Sequence, residues 1–212
     1  MNDQTKSNAP SHGIDQGRRT FLKHSTVGLL AAMTVHTFLR LPLASAAVSE
    51  GSGRRILVAY YSRTGNTRDV AEYARATSGG DILEIKTVSP YPTEYKATTV
   101  QAKQELESGF KPPLSTTIPD MNNYDVVFVG SPCWWGTIAT PVISFLSACD
   151  LAGKTIVPFM THEGSGFGRT VQHIGSMQPN SKILEGLVVR GRLSGWSRGS
   201  VESWVRSLGM AA

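Results

Sequence analysis

The sequence predicts an α/β domain built on a doubly wound, five-stranded parallel sheet in the order 2-1-3-4-5, with helices on both faces. Three observations lead there. Short apolar runs alternate with helix-length segments along the chain, the pattern of successive βαβ units. The runs are apolar through their middles rather than alternating, as strands covered on both faces must be. The most unusual loops follow the first, third and fourth strands, and such a sheet binds ligands beyond the carboxyl ends of its strands, where the order reverses.

The elements follow in order. Ile56 to Tyr60 is continuous, apolar and partly β-branched, and reads as the first strand. Arg68 to Ser78 carries Val70, Ala71, Ala74 and Ala76 among charges and reads as a helix. Asp81 to Lys86 is a second, less buried strand. A long connection follows, punctuated by Pro90, Pro92, Pro112, Pro113 and Pro119, with a polar helix inside it from about Glu94 to Glu107. Asp125 to Gly130 is the third strand, and Thr137 to Pro141 leads into a helix over Val142 to Ala148. Thr155 to Met160 is the fourth strand, followed by a glycine-rich loop and a helix over Arg169 to Met177. The last strand falls near Ile183 to Val189 and an amphipathic helix near Ser200 to Leu208.

Residues 1–46 read as a targeting leader. Gly17-Arg18-Arg19-Thr20-Phe21-Leu22-Lys23 resembles the twin-arginine export signal; a mildly apolar stretch, Val27 to Leu39, and the small-residue site Ala44-Ser45-Ala46 come after it. A membrane anchor is the competing reading, but His36 and Arg40 leave the run short of the ~18 apolar residues a span needs. The resemblance implies an exported protein, periplasmic or secreted, folded around its cofactor before export and not inserted in the membrane once the leader is gone. Residues 47–54 read as a linker and 55–212 as one domain with a full core. The leader carries five of the 21 basic and two of the 16 acidic residues, so the chain's net charge of +5 falls to +2 for residues 47–212. That balance argues against nucleic-acid binding. Cys133 and Cys149 are the only cysteines, too few for a disulfide framework, and the helical segment between them holds them apart.

The chemistry gathers in three loops. Ser62-Arg63-Thr64-Gly65-Asn66-Thr67 is a hydroxyl-rich turn between a strand and a helix, where free amides and the helix dipole favour an anion. A plain helix cap by Asn66 or Thr67 is the bland alternative. Ser131-Pro132-Cys133-Trp134-Trp135-Gly136-Thr137 places two adjacent indoles in a loop; one is expected to pack into the core and the other to offer a stacking wall for a planar ligand. Thr161-His162-Glu163-Gly164-Ser165-Gly166-Phe167-Gly168 offers glycine amides and polar side chains to a ligand edge.

With these three motifs in this order, nearly the whole of Arg55 to Leu208 resembles the flavodoxin family. The resemblance implies a flavin mononucleotide (FMN) protein, with Ser62, Arg63, Thr64, Gly65, Asn66 and Thr67 on the phosphate. It implies that Pro132, Cys133, Trp134, Trp135 and Gly136 flank the isoalloxazine ring, and that Thr161, His162, Glu163, Gly164, Ser165 and Gly166 meet its polar edge. No catalytic residue and no metal ligand are assigned. The function implied is electron transfer to or from a redox partner protein; the alternative is an NAD(P)H:quinone-type reductase acting on a small acceptor. Without a Gly-x-Gly-x-x-Gly fingerprint, the carrier is favoured.

Other patterns weigh less. Gly195-Trp196-Ser197-Arg198-Gly199 matches a hydrolase nucleophile elbow, but no histidine follows His173 in the chain; Gly195 and Ser197 are expected to end a loop and cap the last helix. Gly153-Lys154-Thr155 precedes its strand and reads as a turn, not a nucleotide loop. Cys133 reads as a small apolar filler, His162 as an exposed polar group or a proton donor, and Arg63 as facing either the phosphate or solvent. Electron-carrying flavodoxins are generally acidic, whereas this domain is slightly basic. Less negative charge near the flavin makes its reduction easier. A redox titration is therefore expected to give a potential above that of acidic relatives; one as low as theirs contradicts the charge argument.

Overall fold

A computed structural model of the chain describes residues 53–212. The leader expected at 1–46, and all but the end of the 47–54 linker, lie outside the described residues. The sheet is assembled from β1 (Ile56–Tyr60), β2 (Asp81–Glu84), β3 (Val126–Trp134), β4 (Thr137–Ile138), β5 (Thr155–His162), β6 (Lys182–Ile183) and β7 (Leu187–Arg190). Five helices accompany it: α1 (Asn66–Ser78), α2 (Tyr95–Ser108), α3 (Thr140–Ala148), α4 (Thr170–Met177) and α5 (Arg198–Ser207). The parallel order is β2-β1-β3-β5-β6, with β7 also paired to β5 and β4 folded back antiparallel on β3. This is the expected 2-1-3-4-5 path, with its last position shared by two short strands.

Both faces of the sheet are buried, which is why the strands read as unbroken apolar runs. Leu57 and Ala59 point to one face with Val127, Val129 and Ile156, where Val142, Phe145 and Leu146 of α3 and Ile174 of α4 close the core. Ile56, Val58 and Tyr60 point to the other with Phe128, Val157 and Phe159, beneath Val70, Ala71 and Ala74 of α1 and Val201, Trp204 and Val205 of α5. The Trp204 indole stands edge-on to the Phe128 ring at 5.4 Å.

Two expectations are corrected. The third strand does not stop at Gly130 but runs on to Trp134 and turns back as a hairpin, so the expected loop after it is a strand end with a two-residue turn. The fifth strand is interrupted between Ile183 and Leu187. Its cause lies in the neighbouring strand. The Ile156 carbonyl accepts from the Leu184 amide at 2.9 Å, so residue 158, two further on, faces the same neighbour. Pro158 has no N–H to donate there, and the ladder breaks. Gly186 passes so close to the gap that a Cβ on it would lie 2.4 Å from the Pro158 carbonyl oxygen.

Smaller departures are local. α1 begins at Asn66, two residues before the expected start. The second strand ends at Glu84, where the Lys86 amide turns to the Thr116 hydroxyl at 2.7 Å. Glu94 is the N-cap of α2 and accepts from the Lys96 and Ala97 amides. Ser197 precedes α5, but its hydroxyl donates back to the Ser194 carbonyl at 2.6 Å instead of capping the helix. Both cysteines are free, and burial pushes the Cys149 thiol up to about 12. No helix among the described residues is long and apolar enough to cross a membrane.

His173 on α4 shares a 2.8 Å hydrogen bond with the Thr137 hydroxyl of β4. Burial, with Arg169 adding repulsion, lowers its pKa below the ordinary histidine range. A histidine lowered by folding binds fewer protons folded than unfolded, so its stability contribution is complete above the unfolded value near ~6.5 and is lost on acidification below it. Acidification from about pH 7 to about pH 5 is expected to lower the thermal midpoint, and His173→Gln to flatten that dependence. An identical slope in the variant would remove His173 from the account.

Candidate functional site

The site is built at the carboxyl ends of β1, β3 and β5. After β1 the chain turns through Ser62 to Gly65, with the Ser62 hydroxyl accepting from the Gly65 amide at 3.2 Å. Gly65 has φ of 96°, a left-handed conformation that glycine adopts without strain, and a Cβ there would point into open space. The first turn of α1 has no side-chain cap. Thr67, a capping candidate by sequence, instead shares a buried 2.8 Å hydrogen bond with the Thr161 hydroxyl of β5. The amides of Asn66, Thr67 and Arg68 therefore stay open, the arrangement that attracts an anion. Two arginines stand beside this turn but are engaged elsewhere. Arg63 donates to the Thr93 carbonyl at 3.1 Å, and Arg68 is paired with Glu84.

The hairpin after β3 explains the two tryptophans. Trp134 and Thr137 are paired across a loop of only two residues, Trp135 and Gly136, with φ of 51° and 76°. Positive φ at both central residues is the type I′ geometry that joins such strands. Asparagine or glycine usually stands where Trp135 does, and Trp135 is the only non-glycine residue with positive φ among those described. The left-handed backbone costs a non-glycine residue roughly 1–2 kcal/mol. The indole is 53% exposed, its Nε1 donates to the Thr99 carbonyl of α2 at 3.1 Å, and the Lys103 ammonium lies 5.3 Å from its ring centre. Trp134 packs inward instead, edge-on to Tyr91 at 4.9 Å and to Tyr61 at 5.5 Å. One indole is an anchor and the other faces outward, as the sequence suggested.

Beyond β5 the third loop is organised by His162. Its Nδ1 accepts from the amides of Gly164 at 3.0 Å and Gly166 at 3.1 Å. The proton of the neutral ring then sits on Nε2. The expectation that these glycine amides reach a ligand is corrected: they are spent on the loop's own histidine. The Ser165 hydroxyl donates to Cys133 Sγ at 3.0 Å, joining the third loop to the second. Glu163 accepts from the Arg192 amide at 3.2 Å and so ties the loop to a 3-10 turn, Gly191–Trp196.

These segments enclose one cavity of about 680 Å³. Of the residues singled out by sequence, Arg63, Thr64, Asn66, Thr67, Pro132, Cys133, Trp134, Trp135, Thr161, His162, Glu163, Gly164 and Ser165 line it. Ser62, Gly65, Gly136 and Gly166 do not; they shape the turns that carry the others. Tyr95, Thr98, Thr99 and Ala102 of α2, together with Gly191, also line the cavity and were missed. The serine of the hydrolase-like run, Ser197, is buried against the Ser194 carbonyl, with no histidine partner among the described residues. Among the described residues no three His, Cys, Asp or Glu gather closely enough to hold a metal ion.

Comparison with known proteins places this geometry. The family model for flavodoxin matches residues 55–208. A candidate flavoprotein of Bacteroides eggerthii superposes with a TM-score of 0.64 at 29% identity, covering 73% of this chain and 97% of that one. One from Bacteroides uniformis gives a TM-score of 0.65 at 26% identity, with 73% and 99% covered. A flavoprotein of Lactobacillus acidophilus in complex with FMN shares the fold, with a TM-score of 0.58 at 24% identity and 68% and 99% covered. An NAD(P)H dehydrogenase (quinone) of Cupriavidus metallidurans is 34% identical over 96 residues, 43% of this chain and only 45% of that relative's length.

The His162 clamp makes a local prediction. His162→Ala removes the acceptor of two amides, and hydrogen exchange at Gly164 and Gly166 is expected to quicken about tenfold or more while the rest of the sheet keeps its protection. Unchanged exchange at both glycines would mean that the imidazole does not hold the loop.

Proposed function

The chain belongs to the flavodoxin family, and on that premise we propose that it is an exported flavoprotein that holds one FMN in the cavity and carries electrons to or from a redox partner. The observation that carries the reading is the meeting of three separate strand-end loops around one cavity whose first wall is an uncapped helix N-terminus. The residues present fit the cofactor. Open amides at Asn66, Thr67 and Arg68, with the Thr64 hydroxyl on the cavity lining, suit a phosphate dianion. Trp135 supplies an outward aromatic face, and Pro132 and Cys133 a less polar flank. A volume of about 680 Å³ lies within the range of sites for ligands of that size.

FMN, when bound, supplies one- or two-electron redox chemistry. The chain's own residues bind, orient and shield. The first turn of α1 fixes the phosphate end, and the Thr67–Thr161 hydroxyl pair locks that turn to β5. The Trp135 ring, held by α2, covers one side of the cavity against water. The Ser165–Cys133 contact keeps the second and third loops at a fixed separation. Export rests on the leader-like residues 1–46, whose arginine pair and small-residue site fit the route for proteins folded before transport.

A second reading is favoured by one observation: the relative matched at 34% identity is an NAD(P)H dehydrogenase (quinone). Under it, a nicotinamide donor reduces the flavin and a quinone is the acceptor. Turnover of NAD(P)H with a quinone by the purified chain alone would decide for that reading.

The cofactor assignment is tested by the visible spectrum of the purified protein, expected to be yellow with about one flavin per chain. Thr64→Ala and Trp135→Asn are each expected to weaken FMN retention about tenfold or more. Asparagine suits the type I′ turn, so Trp135→Asn should change stability by no more than about 1 kcal/mol. Parent-like retention in both variants would put the flavin elsewhere, and a colourless protein that ignores added FMN would end the reading.

A further inference from the structure

The outer lip of the cavity carries a surface that cofactor binding does not use. Gly191 lines the cavity and opens the 3-10 turn Gly191–Trp196, which exposes Leu193 by 50% and Trp196 by 88%. The turn is tightly tied down. The Ser194 hydroxyl donates to Asp69 of α1 at 2.8 Å, Tyr73 of α1 donates to the Gly195 carbonyl at 3.1 Å, and Ser197 donates to the Ser194 carbonyl. The exposed indole therefore stands on a turn anchored at three points, in a fixed position from which it can meet a partner.

Two carboxylates meet the turn, Asp69 at the Ser194 hydroxyl and Glu163 at the Arg192 amide, and both are engaged there, whereas Arg190 and Arg192 are exposed. Residues 186–201 contain three arginines and no carboxylate, although the domain as a whole is only slightly basic. Arg190 donates to the Glu163 carbonyl at 3.4 Å, which sets it on the cavity rim. Neither Arg190 nor Arg192 has an ion-pair partner among the described residues, whereas Arg198 is paired with Glu202 at 3.9 Å. Tryptophan and arginine are the residue types that dominate protein-protein contacts. Resting on the flavin reading above, we propose that the 190–196 turn is the docking surface for an acidic redox protein. Its carboxylates meet Arg190 and Arg192, an apolar spot covers Trp196, and its redox centre comes to the cavity mouth. The polarity is opposite to that of an acidic carrier docking on a basic partner. Two apolar side chains on a turn, without an apolar helix face, favour a protein over a lipid surface.

The test uses the full chain loaded with FMN and two c-type cytochromes of similar potential, one acidic and one basic. The chain is reduced with dithionite and mixed with each cytochrome; every event moves one electron from the reduced flavin to a ferric haem, which becomes ferrous. The acidic cytochrome is expected to be reduced at least about tenfold faster at low salt, with the advantage shrinking as salt is raised. Arg192→Glu and Trp196→Ser should each slow that reaction about tenfold, while FMN content and oxidation by benzoquinone, a small neutral acceptor, stay as in the parent. Binding of each chain to the immobilised acidic cytochrome is measured with and without FMN. A chain that holds no flavin would defeat the cofactor reading while this binding still reads the surface. Preference for the basic cytochrome, or variants that bind and react like the parent, would overturn the proposal. So would Trp196-dependent binding to phosphatidylglycerol vesicles, or Trp196-dependent dimerisation in sedimentation, with the cytochrome reaction unaffected.

Discussion

Parallel register among the three central strands is the constraint on which the site depends. Tyr60 pairs with Gly130, and Gly130 with Phe159, so the three strands reach the same level together. Whatever follows them in sequence emerges on one rim. The Thr67–Thr161 hydroxyl pair then joins the first turn of α1 to the end of β5, across β3. Shifting one strand by a single residue would exchange the two buried faces and scatter the loops. Dense apolar packing on both faces fixes the register, and the rim geometry follows from it.

The far wall of the cavity has a different physical basis. α2 is long and polar and contributes little to the core, yet it carries the buried carboxylate of Glu105. That group has no cationic partner among the described residues; it accepts instead from Gln101 at 2.8 Å, from the Thr140 hydroxyl at 2.5 Å and from Tyr91. Three donors satisfy a buried polar group that would otherwise be costly. Tyr91 in turn packs on Trp134, and burial with the adjacent carboxylate raises its pKa far above the ordinary range, so it stays a neutral donor. The inner indole is thereby fixed to α2 by aromatic contact and hydrogen bonding. The outer one reaches the same helix through Thr99. A helix with few apolar anchors is positioned by polar and aromatic contacts, and it defines how wide the cavity is.

Much of this was legible in the sequence, for physical reasons that vary by element. The central strands announce themselves because burial on both faces demands continuous apolar residues, as in Ile56 to Tyr60 and Val126 to Val129. The three site loops stood out because glycine, hydroxyls and paired indoles have few structural uses in combination. α2 was recognised as a helix but not as a wall, since a polar helix gives no apolar stripe to say which side faces the ligand; Tyr95 and Thr99 spoke only after folding. The hairpin was hidden because Trp135-Gly136 is not a usual type I′ sequence. The role of His162 was also out of reach, because a ring accepting from amides two and four residues onward depends on the conformation of its loop. The break in the fifth strand did have a sign, Pro158, but it stands in the neighbouring strand, and proline is read for what it does to its own segment.

That interruption has a consequence for how the molecule behaves in a crowd. An outermost strand normally presents a row of unpaired amides and carbonyls, a template on which another chain can add itself. Here the margin consists of two residues, a break at Leu184 to Gly186, and four more. The opposite margin, β2, is also only four residues long. Among the described residues neither side gives a foreign strand a straight run to zip onto, a geometry that opposes edge-to-edge pairing of copies without a single proline on the outer strands themselves.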